Sequence, residues 1–545
     1  MKNLLALSIC LSVCLGNLNA QTKHWIKFAN KNGTPYSIGT PTAFLTPKSV
    51  LRRTTHGIAV NQSDLPVTPA YIASVAAVSG VTVVYASKWL NGLVVSVTNT
   101  AVLNTISGFS FVTSTTPVGL YKLNMPDELK GSPVTSHNKS SEVAVPNYYG
   151  RSYWQNKQLG LDCIHPQGFR GQGITIAVLD AGFFSVDVNP SFDSLRTRGG
   201  ILGTRDFVSG GTSVYEDHNH GAAVLSLMAA LVPSVIVGSA PRADYWLLRT
   251  EDVNTEKIIE EYNWIRGAEF ADSVGVDILT TSLGYTTFDI PSQNHTLANL
   301  DGKTAPMSIA ATMAARKGMF VLNAAGNEGG GGWGKIGVPA DADSICTVGA
   351  IDSLVNVANF SSRGPTADGR IKPDLCARGV QSWVSWQANG SCEAGNGTSY
   401  ATPILAGAIA CFWQAHPNFN NMTILDTLKA TASHKPWGPN NDVGWGVPVM
   451  CCIPASIPES KNLPALKVTL TPNPFHSAFK INLPDYNYTS IQISVVNSLG
   501  ALIKTLSPNL NERSIDCELN GISAGIYFVK ISSSHGNSST KVIKQ

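Results

Sequence analysis

Three polar residues of different types stand in short motifs that could do nucleophilic chemistry. Asp180 ends the apolar run in "GITIAVLDAGF", His220 stands in "DHNHGAAV", and Ser399 stands in "GNGTSYATP". A serine hydroxyl is a poor nucleophile until an imidazole takes its proton, and a carboxylate fixes the tautomer of that imidazole and stabilises its cation. The three residues are therefore candidates for a hydrolytic triad in the chain order Asp, His, Ser.

Each candidate also has a simpler interpretation. Ser399 precedes the apolar run "ILAGAIACFW" and could cap a buried helix, because Ser and Thr accept hydrogen bonds from the first helical N–H groups. Asp180 could be a turn residue that closes a strand. Asp217, His218 and His220 could suggest a metal site, but the H-x-H pattern lacks a third ligand at a typical spacing. The elements that position these residues decide between the interpretations.

Buried strands alternate with helices between residues 147 and 455. Strands are predicted at "GITIAVL", "DYWLLRT", "VDILTTSLG" and "MFVLNAA", and helices at "AAVLSLMAALV", "KIIEEYNWIRGAEFA" and "IAATMAARKG". Continuous apolar strands separated by helices predict an α/β fold, a parallel sheet with helices on both faces. In such sheets functional residues gather in the crevice beyond the carboxyl ends of the strands. Asp180 at a strand end, and His220 and Ser399 at helix starts, fit this crevice.

Several segments in one order resemble the subtilisin-like serine proteases, or subtilases. The family's acid, base and nucleophile motifs read "DAG", "HGAAV" and "GTSYATP" here, so the resemblance assigns Asp180, His220 and Ser399 as catalytic residues. The segment "VLNAAGNEG" resembles the family's oxyanion segment and assigns Asn327 as the amide donor. The segment "TTSLGY" resembles the backbone wall that lines the substrate cleft, which comprises Ser282, Leu283 and Gly284.

The resemblance covers residues 147–455 and implies a subtilisin-like serine endopeptidase that acts on protein or peptide substrates through an acyl-enzyme intermediate. It implies no cofactor for the chemistry and leaves a structural calcium site open. The sequence departs from the family near the triad, where Ala181 replaces a small hydroxyl residue and Tyr400 replaces a Met. The histidine motif also carries three departures, Ala222, Leu225 and Ser226. No departure removes a reacting atom, so they concern specificity and efficiency.

The flanking regions predict export. Residues 1–20 have the layout of a cleavable signal peptide, with a lysine, an apolar stretch and a small residue at the cleavage point. Residues 21–146 are predicted to form a small α+β unit with a hairpin turn at Asn91-Gly92, and the unit is similar to subtilase propeptides, which aid folding and inhibit the protease. The protein is thus expected to be a secreted zymogen whose own propeptide is a partner.

The C-terminal part is predicted to be separate from the protease. Residues 456–465 form a linker, and residues 466–545 have short alternating strands and Gly or Asn turns that predict a small β-sandwich. The motifs "TPNP", "NSLG" and "AGIYFVKI" resemble the C-terminal sorting domain of the type IX secretion route of Bacteroidetes. This resemblance implies the type IX machinery as a partner and an extracellular or cell-surface location. The alternative is an ordinary sandwich that binds carbohydrate or another protein.

Composition excludes several other partners. The net charge is +3 on 545 residues, and no basic stripe with interleaved aromatic residues occurs, so no nucleic-acid partner is expected. The best apolar stretch after the signal, "AAVLSLMAALVPSVIVG", is broken by Pro233 and falls short of the about 20 residues of a membrane span. We therefore expect no transmembrane anchor.

The cysteines give one expected pair and no metal site. The sequence has 10 cysteines, and Cys376 and Cys392 flank a predicted hairpin in "ARGVQSWVSWQANGS", which makes them the candidate disulfide. No CxxC-type spacing occurs, so a cysteine zinc site is not expected.

Two other classes of function remain as alternatives. A serine hydrolase on small esters or lipids would normally show a Gly-x-Ser-x-Gly motif and the chain order Ser, Asp, His, and the candidate triad has neither. An inactive binding protein that retains the protease fold would keep every motif described above. Hydrolysis of a protein substrate separates the protease from the binding protein.

Overall fold

The computed structural model describes residues 21–119, 147–433, 438–452, 466–488, 491–497, 502–506, 508–533 and 536–545. The predicted signal peptide and the predicted linker at 456–465 lie outside the described residues, as does the end of the predicted propeptide. The chain divides into two units, Met1–Ile453 and Pro454–Gln545, and each is described by itself.

The N-terminal part of the first unit is an antiparallel sheet with short helices. Its strands are β1 (Thr22–Phe28), β2 (Val81–Ser87), β3 (Gly92–Val97) and β4 (Val112–Gly119), and its helices are α1 (Pro47–Thr55), α2 (Pro69–Ala76) and α3 (Val102–Ser107). The sheet order is β2-β3-β1-β4, and all its pairs are antiparallel. The predicted hairpin is confirmed, because β2 pairs with β3 and Asn91 between them has a positive φ of 54°. An α+β unit therefore precedes the predicted protease.

A seven-stranded parallel sheet forms the centre of the first unit. Its strands are β5 (Thr175–Asp180), β6 (Ile201–Asp206), β9 (Asp244–Arg249), β10 (Ile278–Thr281), β11 (Phe320–Ala324), β12 (Cys346–Ile351) and β13 (Leu375–Arg378). The order is β13-β12-β11-β10-β5-β9-β6, and every neighbouring pair is parallel. The predicted α/β class with a parallel sheet is confirmed.

Helices cover both faces of this sheet. They are α7 (His220–Ala229), α8 (Ile259–Val274), α9 (Pro306–Arg316), α10 (Thr398–Ala415) and α11 (Asn421–Thr431). Side chains of β5 alternate between two cores: Ile176 and Val178 join the core with α7, α10 and α11, whereas Ala177 and Leu179 join the core with α8 and α9. Burial on both faces explains why the strand is apolar at every position from Ile176 to Leu179.

Shorter elements complete the first unit. They are the helices α4 (Tyr153–Lys157), α5 (Leu161–Ile164) and α6 (Asp193–Thr197), and the strands β7 (Leu231–Val232), β8 (Ile236–Val237), β14 (Ser382–Val384) and β15 (Glu393–Gly395). Single 3₁₀ turns occur at Pro41–Ala43, Gln62–Asp64, Pro190–Phe192, Pro291–Gln293, Leu297–Asn299 and Met450–Cys452. No helix in the described ranges is long and apolar enough to cross a membrane.

The expected disulfide between Cys376 and Cys392 is wrong. Cys376 lies inside β13 of the central sheet, fully buried, whereas Cys392 lies in the separate β14–β15 hairpin, and both thiols are free. The hairpin begins at Ser382, so Cys376 does not flank it. The disulfide that forms joins Cys163 to Cys451, with a Cα–Cα distance of 6.0 Å.

The second unit consists of two antiparallel sheets. Its strands are β16 (Thr469–Thr471), β17 (Ala478–Asn482), β18 (Ile491–Asn497), β19 (Leu502–Leu506), β20 (Ser514–Glu518), β21 (Gly525–Ser533) and β22 (Gly536–Lys544). The sheet orders are β16-β17-β20 and β19-β18-β21-β22. Phe479 and Ile481 of one sheet and Val495 and Val529 of the other lie in one core, as expected for a small sandwich.

Candidate active site

The carboxyl end of β5 and the start of α7 bring Asp180 and His220 together. Nδ1 of His220 lies 2.7 Å from Oδ1 of Asp180. The Asp180 side chain is fully buried, while 27% of the His220 side chain is exposed. The Asp180 carboxylate can only accept a hydrogen bond, so the neutral imidazole carries its proton on Nδ1. Nε2 is then free to accept a second proton. The pair thus has the geometry of a base that is oriented by a carboxylate.

Two glycines allow this close approach. A Cβ on Gly221 would lie 2.3 Å from the Gly182 carbonyl oxygen and 2.9 Å from the Cβ of Asp180. A Cβ on Gly182 would lie 2.5 Å from the backbone nitrogen of His218, and Gly182 has a positive φ of 151°. Side chains at these positions would push α7 away from the end of β5. The glycines of "DAG" and "HG" are therefore required for the contact between Asp180 and His220.

Burial and Asp180 act in opposite directions on the His220 pKa. Burial lowers the pKa, but the charge of Asp180 and its hydrogen bond to Nδ1 outweigh this effect and raise the pKa above the usual value of 6.5. The imidazolium form is stabilised by its carboxylate neighbour. A base with this pKa is suited to accept a proton near neutral pH.

Ser399 is the second residue of α10 and is half-buried. Its hydroxyl donates to the carbonyl oxygen of Ser282 at 3.1 Å, and no hydrogen bond joins it to His220 among the described residues. The helix is capped by Gly397, and no side-chain cap bond forms, so the interpretation of Ser399 as a cap is wrong. The hydroxyl lies at the positive end of the helix dipole, where developing negative charge is favoured.

Asn327 lies in the loop after β11 with its amide orientation fixed. Its Oδ1 accepts hydrogen bonds from the backbone N–H of Thr398 at 2.9 Å and from the Thr398 hydroxyl at 3.0 Å. The amide Nδ2 therefore points away from Thr398. A methyl group on Gly397 would lie 3.8 Å from Nδ2 of Asn327 and 3.6 Å from the backbone nitrogen of Ser399. Nδ2 of Asn327 and the backbone N–H of Ser399 thus flank one small space beside Gly397.

The predicted substrate wall follows β10 directly. Ser282 and Leu283 are each only 7% exposed, and Gly284 is exposed. Nδ2 of Asn323, on the neighbouring strand β11, donates to the carbonyl oxygen of Leu283 at 3.2 Å and so fixes the wall against the sheet. The structure therefore brings the wall to the same edge of the sheet as Ser399.

The alternative metal site is not formed by the described residues. His220 uses Nδ1 for Asp180, and Nδ1 of His218 accepts the backbone N–H of His220 at 3.3 Å. No group of three or more His, Cys, Asp or Glu side chains in the described part of the chain is arranged to hold a metal ion.

Arg249 is a supporting residue that the sequence analysis missed. It ends β9 and is 7% exposed, and its Nε donates to the carbonyl oxygen of Ala181 at 3.2 Å. Its Nη1 and Nη2 lie 3.0 Å from Asp206 and 3.3 Å from Asp217, respectively. Arg249 thus ties the residue after Asp180 to the segment before His220. The sequence signal was a charged residue at the end of the apolar strand "DYWLLRT".

The N-terminal α+β unit packs on α8 through charged contacts. Asp272 of α8 lies 2.6 Å from Nη2 of Arg52 and 2.9 Å from Nη2 of Arg53, and all three side chains are at most 3% exposed. The carboxylate of Glu269, one turn earlier, accepts the backbone N–H groups of Lys88 and Trp89 at 3.0 Å each. Buried charges are therefore paired across this contact.

Comparison with known proteins agrees with this fold. The family model described as "Subtilase family" matches residues 171–446. Subtilisin E of Bacillus subtilis is 33% identical over 312 residues, which is 56% of this chain and 72% of that protein. Subtilisin of Bacillus pumilus is 34% identical over 281 residues, 51% of this chain and 90% of that protein. Subtilisin Savinase of Lederbergia lenta is 32% identical over 282 residues, which is 51% of this chain and 91% of that protein.

The chain therefore belongs to the subtilase family and is a subtilisin-like serine protease. Residues 23–133 match a peptidase S8 propeptide domain of Bacteroidota, and residues 469–545 match a secretion system C-terminal sorting domain. The resemblances drawn from the flanking motifs are thus confirmed. The sorting domain indicates secretion and a cell-surface or extracellular location.

Proposed function

We propose that this protein is a secreted endopeptidase that hydrolyses peptide bonds through Asp180, His220 and Ser399. The 2.7 Å contact between Nδ1 of His220 and Oδ1 of Asp180 is the observation that carries the proposal. It leaves Nε2 as the acceptor for the Ser399 proton once the hydroxyl turns away from Ser282. The serine oxygen then attacks the peptide carbonyl carbon, and the carbonyl oxygen becomes an oxyanion.

Asn327 and the backbone N–H of Ser399 are proposed to stabilise that oxyanion. The Ser399 N–H has no partner within α10, because the first N–H groups of a helix have no preceding carbonyl. When the intermediate collapses, His220 gives its proton to the leaving amine, and an acyl-enzyme forms on Ser399. Water then enters and gives a proton to His220 as its oxygen attacks the ester carbonyl carbon, and His220 returns that proton to the Ser399 oxygen when the acid product leaves. These steps require no cofactor.

Ser282, Leu283 and Gly284 are proposed to bind the substrate backbone as an added strand. The wall runs beside Ser399, and Gly284 is exposed with no side chain to block a peptide. Protein and peptide substrates fit such a wall, because backbone hydrogen bonds along an extended strand are largely independent of sequence. The N-terminal segment 21–146 is proposed to inhibit the protease until it is cut.

Substitution of the nucleophile tests the function. Ser399→Ala is expected to abolish casein hydrolysis, labelling by a fluorophosphonate probe, and removal of segment 21–146 in a host without the native processing enzymes. The change removes one hydrogen bond to Ser282, which is worth about 1 kcal/mol, so the precursor should remain soluble. Ser391→Ala, at an exposed serine of the hairpin, is the matched control and should mature normally. A Ser399→Ala precursor that shortens at the wild-type rate would contradict self-processing.

A further inference from the structure

An acidic cluster that contains Glu251 and Glu260 lies beside the proposed triad at the carboxyl end of β9. Glu251 follows Thr250, whose backbone N–H donates to the Asp180 carbonyl oxygen at 2.9 Å. The charges of Asp180 and His220 both act on Glu251, and its side chain is partly exposed. Glu251 therefore lies at the crevice rather than inside the protein.

Tyr285 connects this carboxylate to the substrate wall. It directly follows Gly284, is 1% exposed, and its hydroxyl lies 3.5 Å from Oε2 of Glu251. Burial raises the pKa of Tyr285, and the charges of Glu251 and Glu260 raise it further. The tyrosine hydroxyl thus faces a carboxylate-rich space next to the wall.

Glu260, in the first turn of α8, lies deeper. It is 1% exposed, and its Oε1 accepts the Thr255 hydroxyl at 3.2 Å and the Lys257 backbone N–H at 3.3 Å. Its Oε2 is buried and has no hydrogen-bond partner among the described residues. Because an unpartnered carboxylate oxygen at this burial is costly, the position favours a ligand that donates hydrogen bonds.

The electrostatics of this acidic cluster favour a bound cation. Burial and the charge of Glu256 raise the pKa of Glu251 to about 8, and burial and the charges of Glu251 and Glu256 raise the pKa of Glu260 to about 10. Carboxylates that repel each other in a partly buried site regain their charged forms when a cation enters. No group of His, Cys, Asp and Glu in the described ranges has the arrangement of a metal site, which favours an organic cation.

The propeptide already places a cation near the carboxylates that follow β9. Lys23 pairs with Gly119 at the end of β4, and its charge interacts with Asp252, the residue after Glu251. The side-chain amide of Gln293 also donates to the carbonyl oxygen of Pro117 in β4 at 3.2 Å. A propeptide cation therefore lies within electrostatic reach of the carboxylates that follow β9.

We propose that Glu251, with Glu260 behind it, forms a subsite that binds the ammonium or guanidinium group of a Lys or Arg side chain in the peptide substrate. This inference rests on the proposed function, since it names the substrate class of the same cleft. Charge-assisted hydrogen bonds to Glu251 would hold the cation.

Paired peptide substrates test the proposal. Quenched fluorescent peptides carry either Lys or the uncharged norleucine at each of the four positions before the scissile bond, and kcat/KM is measured for each. At one position the Lys peptide is expected to be cleaved about tenfold or more faster than its norleucine partner, as expected for a hydrogen bond to a charged group. Added salt should reduce this ratio in the wild-type enzyme, since the preference is electrostatic.

Charge-neutral variants test whether Glu251 and Glu260 cause the preference for Lys over norleucine. Glu251→Gln and Glu260→Gln should each reduce the Lys to norleucine ratio severalfold, while Asp426→Asn, at an exposed carboxylate on α11, should leave it unchanged. Equal cleavage of all pairs, or a preference that both glutamine variants retain, would overturn the subsite and leave the endopeptidase standing. Failure to cleave any peptide would instead remove the proposed function and this inference with it.

Discussion

Ser282 and Ser399 exchange two hydrogen bonds. The Ser399 hydroxyl donates to the Ser282 carbonyl oxygen at 3.1 Å, and the Ser282 hydroxyl donates to the Ser399 carbonyl oxygen at 2.9 Å. Pro403 lies inside α10 and has no N–H, so the usual helical donor to the Ser399 carbonyl is missing. The proline of "GTSYATP" thus frees a helix carbonyl for the substrate wall, which fixes the wall and the proposed nucleophile to each other.

Asn327→Ala is expected to slow the chemical step and leave substrate binding similar. Only the transition state carries the oxyanion, so kcat should fall while KM changes little. The expected loss is about 10²–10³, the range established for the corresponding donor of a subtilisin rather than one calculated from this structure. Steady-state kinetics on a peptide substrate measure both constants.

Asn327→Asp is the control that separates structure from catalysis. Aspartate keeps an acceptor for the N–H and hydroxyl of Thr398, but it has no amide donor and adds a negative charge. Its thermal stability should therefore exceed that of Asn327→Ala, while its kcat should be at least as low. A wild-type kcat in either variant would remove Asn327 from the mechanism.

The pH dependence of kcat/KM should report on His220. Only the neutral imidazole accepts the serine proton, so activity should rise with pH and be lost as pH falls through the pKa. Because Asp180 raises that pKa above 6.5, the midpoint should lie above 6.5. Measurements between about pH 5 and 9 on an uncharged peptide test this expectation. A flat profile, or a midpoint below that of free imidazole, would argue against His220 as the base.

The fold and the predicted triad could be read from the sequence because their signals are local. Asp180 ends an apolar strand, and His220 and Ser399 each lie at the start of an apolar helix. Parallel strands place all their carboxyl ends at one edge, so a coarse reading of the elements is enough to bring these residues near one another. The two glycines that let α7 approach β5, Gly182 and Gly221, stand in the same short motifs as Asp180 and His220.

Contacts between distant segments could not be read in this way. Cys163 and Cys451 are separated by 288 residues, and no local pattern marks them as partners. The buried carboxylate of Asp272 looks in sequence like one charge of a surface helix, and its arginine partners lie more than two hundred positions earlier, in α1. Such pairs depend on how whole elements pack, which periodicity does not specify.

Removal of the disulfide should lower thermal stability. Cys163→Ser leaves the 288-residue loop open in the unfolded chain, and loss of a native disulfide typically costs about 2–5 kcal/mol. Cys392→Ser is the matched control, because that thiol is free and only partly buried. Melting curves at one scan rate compare the two variants with the wild type. Equal melting temperatures for all three would contradict a stabilising role for this bond.

The contact between Asp272 and the propeptide arginines should set the strength of propeptide inhibition. Burial raises the pKa of Asp272, but the charges of Lys88, Arg52 and Arg53 outweigh it and lower the pKa from 3.8 to about 2. A carboxylate whose pKa is lowered by a contact stabilises that contact fully at pH values above its ordinary pKa. This stabilisation is lost as the pH falls through the lowered pKa. The propeptide should therefore still inhibit at about pH 5, where Asp272 remains charged.

Asp272→Asn should weaken propeptide binding strongly, because it removes the carboxylate that pairs with buried Arg52 and one of the two carboxylates that pair with buried Arg53. Breaking a buried ion pair costs about 3–5 kcal/mol, which corresponds to an inhibition constant about 10²–10⁴ times higher. The constant is measured with added segment 21–146 against the mature protease. Lys48→Met is the control, since Lys48 is 42% exposed in its ion pair with Asp277 and such pairs contribute little. Similar inhibition constants for the two variants would show that apolar packing, such as Trp25 against Tyr262, holds the propeptide instead.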